Sequence, residues 1–163
     1  MICIVDFGSQ TTHLIGRRIK ELGVNVKILY PTEILIRQLM DQNDKTINGI
    51  ILSGGPSSVY EKGAPTIDPL VFSLGIPILG ICYGLQLTAY LLGGKVVSGK
   101  KEYGPATLEF RIKNLELRIT KGLPKSFVVW MSHGDEVISI PKGFNVIGST
   151  EHVPFAFVED SKR

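Results

Sequence analysis

The stretch "PILGICYGLQL", residues 77–87, decides the fold. A short apolar run, residues 76–81, enters Gly80-Ile81-Cys82-Tyr83-Gly84, and a longer apolar stretch, residues 83–94, leaves it toward Gly93-Gly94. The first reads as a buried strand, and the second has the length and glycine stop of a helix. A strand-to-helix turn of the form G-x-(Ser/Cys)-x-G holds its central residue in a strained conformation, and the flanking glycines let strand and helix come close. The helix N-terminus turns unpaired N–H groups and a positive dipole end toward the sulfur. Both favour thiolate over a thiol whose ordinary pKa is about 8.5. Cys82 is therefore the candidate nucleophile, and the Tyr83 N–H a candidate donor to an oxyanion beside it. The competing reading of Cys82 is a small buried residue at a sheet edge. Gln86, one helical turn after Cys82, falls near the same pocket.

Outward from the elbow, strands and helices alternate. "ICIVDF" (2–7) and "INGIILSGGP" (47–56) are apolar runs ending in turn residues, and "VNVKILY" (24–30) alternates like a strand. Residues 11–22 put Leu14, Ile15, Ile19 and Leu22 on one helical face, with Gly23 as the stop. "TEILIRQLMDQ" (32–42) predicts a helix with Thr32 at its N-cap, and residues 65–75 predict a short one. This rhythm predicts an α/β fold, with a largely parallel central sheet and helices on both faces. In such sheets ligands bind beyond the C-terminal ends of the strands. "LSGGPSSVY" (52–60) lies at that edge, and the N–H of Gly55 is the second candidate oxyanion donor.

After residue 95 the pattern changes. "ATLEFRI", "LELRIT", "SFVVWMS", "FNVIGST" and "PFAFVED" predict short antiparallel strands added to the first sheet, and "SGKKEYG" reads as a solvated loop. "WMSHGDEV" (130–137) interrupts an apolar strand with a polar cluster and predicts a third loop. Buried polar groups are costly without partners, so Ser132, Gly134 and Asp135 suit the polar ends of a small zwitterion. His133 reads either as a general base for Cys82 or as a side chain held by local hydrogen bonds in its turn.

The bulk properties exclude more than they assign. A length of 163 residues suits one domain. A net charge of +3, from 18 basic and 15 acidic residues scattered along the chain, offers no nucleic-acid patch. No apolar run is long enough to span a membrane, and "MICIVDFGSQ" is not a secretory signal. A cytoplasmic location with Cys3 and Cys82 as thiols is the expectation.

Taken together, "DFGSQ", "ILSGGPSSVY", "GICYGLQL", "LGGKV", "KEYGPATLEF", "WMSHGDEV" and "STEHVPFAFVED" resemble the glutamine amidotransferase domain of GMP synthetase, a class I, triad-type amidotransferase. The resemblance spans essentially the whole chain. It implies a flavodoxin-like α/β fold and a single amidotransferase domain over residues 1–163. Cys82 would attack the side-chain amide of L-glutamine, with Gly55 and Tyr83 supplying the oxyanion hole. Gln86, Ser132, Gly134 and Asp135 would hold the substrate, and His133 would belong to that substrate loop rather than act as the base. The released ammonia would aminate XMP to GMP in a partner ATP-pyrophosphatase domain or subunit, which would use ATP and Mg²⁺; the amidotransferase domain itself would need no cofactor. The family's catalytic His and Glu lie in a strand after "FAFVEDSKR", so residues 1–163 read as a domain that stops short of them. Amidotransferase parts of anthranilate, aminodeoxychorismate or carbamoyl-phosphate synthesis, or a catalytically silent binding module, are the alternatives.

Overall fold

The computed structural model describes residues 1–31, 47–111 and 120–160. The helix predicted over 32–42 lies outside these residues, as does the strand predicted over "LELRIT" apart from Thr120. The chain forms two compact units, Met1–Leu92 and Gly93–Arg163.

The first unit is built on four parallel strands, β1 (Ile2–Val5), β2 (Val26–Leu29), β3 (Gly49–Leu52) and β4 (Ile78–Gly80), in the order β2-β1-β3-β4. Ile4 pairs in register with Ile28 on one side and Ile51 on the other. Cys3, Ile4, Val5, Ile50 and Leu52 are all but inaccessible. That is why these strands read as unbroken apolar runs: a parallel strand covered on both faces has no side to expose to water. The strand order reverses between β1 and β3, so the crevice beyond their C-terminal ends is the topological switch point, where open α/β sheets place their ligands.

Helix α1 (Thr12–Glu21) follows β1. Its packed face differs from the sequence expectation: Leu14 and Leu22 are exposed, whereas Thr12 and Gly16 are buried. Gly16 explains the difference. A Cβ at that position would sit 3.6 Å from side-chain carbons of Ile4 and Val26, so the missing side chain lets the helix axis approach the strands along the Thr12–Gly16 line. A 3₁₀ turn, Pro69–Ser73, is capped by Asp68, which accepts from the Leu70 N–H at 2.9 Å. Helix α2 (Tyr83–Leu91) closes the unit. No helix among the described residues is long and apolar enough to cross a membrane.

The second unit is an antiparallel sheet of β5 (Lys95–Phe110), β6 (Ser126–Ser139), β7 (Phe144–Ser149) and β8 (Phe157–Asp160), ordered β6-β5-β7-β8. The C-terminal strands are antiparallel as expected, but they pair among themselves instead of adding to the parallel sheet. Two are long, at 16 and 14 residues, because "SGKKEYG" and "WMSHGDEV" continue as strand instead of forming loops. A register shift between Ser98 and Glu102 absorbs the glycine and charge run, leaving Asp135 opposite Ser98 and His133 opposite Glu102. Bulges of this kind re-aim side chains without ending a ladder. The unit's apolar interior holds Val96, Leu108, Val137 and Ile147, with Phe110 against Phe127 and Phe157 at ring centroid distances of 5.8 Å.

Candidate active site

The elbow has the conformation its sequence demands. Cys82 is the N-cap of α2 with φ 51° and ψ −110°, the one residue other than glycine with positive φ among the described residues. A non-glycine residue in that region carries strain, and such strain collects at functional sites. The carbonyl of Cys82 accepts from the N–H groups of Leu85 and Gln86, both at 3.0 Å, so the helix begins at the cysteine itself.

The two motif glycines are required by close approach. A Cβ on Gly80 would lie 2.8 Å from the backbone of Gly84 and Leu85. On Gly84 it would collide with the carbonyl oxygen of Leu52, the last residue of β3. The Gly84 N–H bonds the carbonyls of Ser53 (3.0 Å) and Ile81 (2.9 Å), which ties the elbow to the end of the neighbouring strand. Gly84→Ala is therefore expected to cost about 3 kcal/mol or more, at the top of the overpacking range, because the obstacle is backbone. A denaturant midpoint measured against the parent chain checks this; a shift of less than about 1 kcal/mol would mean that the elbow is looser than described.

Tyr83 is buried, its ring 5.2 Å from that of Phe7 and its hydroxyl donating to the Pro65 carbonyl at 2.5 Å. Burial, and secondarily the charge of Glu61, push its phenol above the ordinary range, so the side chain is a neutral anchor. Gln86 is buried on the first turn of α2. The β3 loop passes beside the elbow: a Cβ on Gly54 would sit 3.7 Å from Cys82 Cβ and 3.4 Å from Ser9 Oγ. At Gly55 it would lie 2.7 Å from the Phe7 carbonyl oxygen. The first unit thus brings Gly54, Gly55, Cys82, Tyr83 and Gln86 to the C-terminal edge of one parallel sheet.

Sequence reasoning missed what holds these loops in place. The carboxylate of Asp6 is buried and accepts through Oδ1 from the N–H groups of Gly8 (2.9 Å) and Ser9 (3.2 Å) and from Thr12 Oγ1 (2.8 Å). Ser53 Oγ accepts from the Phe7 N–H at 3.1 Å and donates to the Gly54 carbonyl at 2.8 Å. Asp6 fixes the β1 loop, and Ser53 joins that loop to the glycines after β3. The signal was legible: an aspartate bonding N–H groups two and three residues on is the ordinary Asx-turn pattern, present in "DFGS".

The other site residues of the sequence reading lie in the second unit, on β6. Ser132 is exposed and pairs with Tyr103, Asp135 is buried and pairs with Ser98, and Gly134 sits between them at the register shift. His133 Nδ1 lies 3.0 Å from the Asp135 carbonyl oxygen. Its Nε2 lies 3.3 Å from Glu102 Oε2, and these two atoms are cut off from solvent with no hydrogen-bond partner of their own among the described residues. A carbonyl only accepts, so Nδ1 carries its proton and Nε2 faces a carboxylate. Both ring nitrogens are thus engaged within the second unit. Of the other two histidines, His13 on α1 and His152 are exposed.

Residues 3–163 match the family model described as glutamine amidotransferase class-I. The chain is 51% identical over 164 aligned residues to the glutamine-hydrolysing GMP synthase of Staphylococcus epidermidis, and 50% identical to that of Staphylococcus carnosus. It spans about 30% of the length of these curated relatives, while all of this chain is covered. Among solved structures, it superposes with a TM-score of 0.80 and 30% identity on a Thermoplasma acidophilum protein assigned as part of a GMP synthase, covering 99% of this chain and 78% of that one. A glutamine amidotransferase from Methylobacillus flagellatus shares the fold, with a TM-score of 0.60 at 20% identity, covering 94% of this chain and 62% of that one.

Proposed function

We propose that this chain, which belongs to the class-I glutamine amidotransferase family, releases ammonia from L-glutamine for the amination of XMP to GMP. The observation that carries the reading is the strained, positive-φ Cys82 at the head of α2, with the Gly54-Gly55 loop against it. Cys82 Sγ attacks the side-chain amide carbon, forming a tetrahedral intermediate. Its collapse expels ammonia and leaves a γ-glutamyl thioester that water then hydrolyses to glutamate. The Gly55 and Tyr83 N–H groups stabilise the oxyanion, a contribution of roughly 3 kcal/mol per well-placed donor. Gln86, Ser132, Gly134 and Asp135 hold the glutamine.

Residues 1–163 serve as one amidotransferase domain. The ammonia acceptor is a synthetase domain or subunit of the ATP-pyrophosphatase class, which activates XMP with ATP and Mg²⁺. Support for the client comes from the GMP synthase relatives, and from "DFGSQ" and "SHGD", where amidotransferases serving chorismate-derived or carbamoyl-phosphate products usually differ. The test supplies the protein with a GMP-forming synthetase partner, ATP, Mg²⁺ and glutamine. Glutamine-dependent amination of XMP is expected, and none with chorismate and its synthase partner. Amination of chorismate alone would overturn the choice of client.

A further inference from the structure

We infer that Glu102 and His133 share one buried proton, and that this pair is a positioning clamp setting the affinity of the Ser132–Asp135 segment for glutamine. The inference rests on the proposed role of that segment and adds two residues that touch the substrate in neither reading. Its basis is an atom-by-atom account of protons. Nδ1 of His133 faces the Asp135 carbonyl oxygen at 3.0 Å and must donate. Nε2 faces Glu102 Oε2 at 3.3 Å, and both atoms are shielded from water with no other partner among the described residues. A carboxylate oxygen facing a bare imidazole nitrogen would leave two buried acceptors opposed, an arrangement that costs free energy on both sides. One proton between them removes the conflict. Whether it rides on nitrogen or oxygen, the pair holds two protons in all and no net charge.

The consequence is geometric. The two residues are directly opposed across β5 and β6, at the register shift where the ladder skips past Gly134. At that point residues between the Ser98–Asp135 and Glu102–His133 pairs have no partner in the ladder register, so a side-chain tie has more to fix. The ring is anchored at both nitrogens, at one end to β5 and at the other to the carbonyl of Asp135, two residues on. His133 thus braces the strand segment between Ser132 and Asp135. Gly99 completes the packing: a Cβ there would lie 2.8 Å from Cβ of Glu136, so β5 can close on β6 only with glycine at this place.

The test compares the parent chain with Glu102→Gln, which is isosteric and keeps the strand register, after thermal melts show that both fold cooperatively. In the proton NMR spectrum of the parent, one slowly exchanging, downfield side-chain proton is expected, absent in Glu102→Gln and in His133→Asn. The second readout is the rate of Cys82 alkylation against the concentration of diazo-oxo-norleucine, a glutamine mimic. Glu102→Gln is expected to raise the half-saturating concentration about tenfold, equivalent to about 1.4 kcal/mol of binding. The maximal rate, and the rate with iodoacetamide, which carries no glutamine skeleton, should stay as in the parent. Ser132→Ala and Asp135→Asn separate the two claims. If they leave the half-saturating concentration unchanged, the segment does not hold glutamine and the clamp's bearing on the substrate falls with it. If they raise it while Glu102→Gln does not, or if the downfield proton is missing from the parent, the clamp is refuted and the substrate segment stands.

Discussion

Glutamine hydrolysis by the 163-residue chain alone is expected to run at least about 100-fold below that of a form extended past Arg163 by a strand carrying the catalytic His and Glu that the family resemblance implies. The expectation follows from an inventory of bases. The chain has three histidines. His13 and His152 are exposed, and His133 has a carbonyl at one ring nitrogen and a carboxylate at the other. His133, held by partners on both sides, thus has both ring nitrogens taken. It is not a ready proton carrier for a thiol that must lose a proton and a leaving amine that must gain one. General acid–base assistance is worth roughly 10²- to 10⁴-fold, which sets the size of the deficit. An extra strand also adds stability, so both forms must first give a cooperative melt; otherwise inactivity would report unfolding. A folded short chain within tenfold of the extended one would place the base inside residues 1–163. His133→Ala would then be the decisive variant, and the proton placement derived for His133 would have to be abandoned.

The second large effect concerns the two thiols. Cys3 has no exposed surface, and burial, only partly offset by the charge of Lys27, pushes its thiol up to about 11. At pH 7 roughly one molecule in 10⁴ then carries a Cys3 thiolate, and it is enclosed within the sheet. Cys82 is half-buried at the sheet edge, at the N-terminus of α2. Only the thiolate attacks an electrophile, so reactivity should divide between the two by several orders of magnitude. Cys82→Ser is accordingly expected to remove both alkylation by a glutamine mimic and ammonia release, the latter by more than about 10³-fold in the extended form, in line with the loss of a nucleophile elsewhere. Cys3→Ser should leave the alkylation rate unchanged. An undiminished rate in folded Cys82→Ser would show that the elbow strain serves packing and not chemistry.

How much of this was legible in the sequence depends on how local each signal is. The elbow was fully legible, because its strand, glycines, cysteine and helix stand within eighteen residues of one another and each reports its own constraint. The parallel sheet was legible for the same reason, as strands buried on both faces spell themselves as apolar runs. The α1 face was misjudged because apolar periodicity points to Leu14 and Leu22, while closeness to the sheet is set by Gly16, which has no side chain to register in the pattern. The long β5–β6 ladder was not legible. Lys100, Lys101 and the Ser-His-Gly-Asp run break the alternation that marks a strand, and only pairing across the ladder, with a register shift, makes them one. Glu102 was invisible as a site residue, since its meaning comes from a partner 31 positions away that no spacing rule connects.

The measurement that bears most directly on the nucleophile is peptide mapping by mass spectrometry after the folded chain is treated with diazo-oxo-norleucine at neutral pH. A single adduct is expected, on the peptide containing Gly80-Ile81-Cys82-Tyr83-Gly84, with Cys3 unmodified until the chain is denatured. An adduct on Cys3 in the folded chain, with Cys82 untouched, would contradict the assignment of Cys82 as the nucleophile.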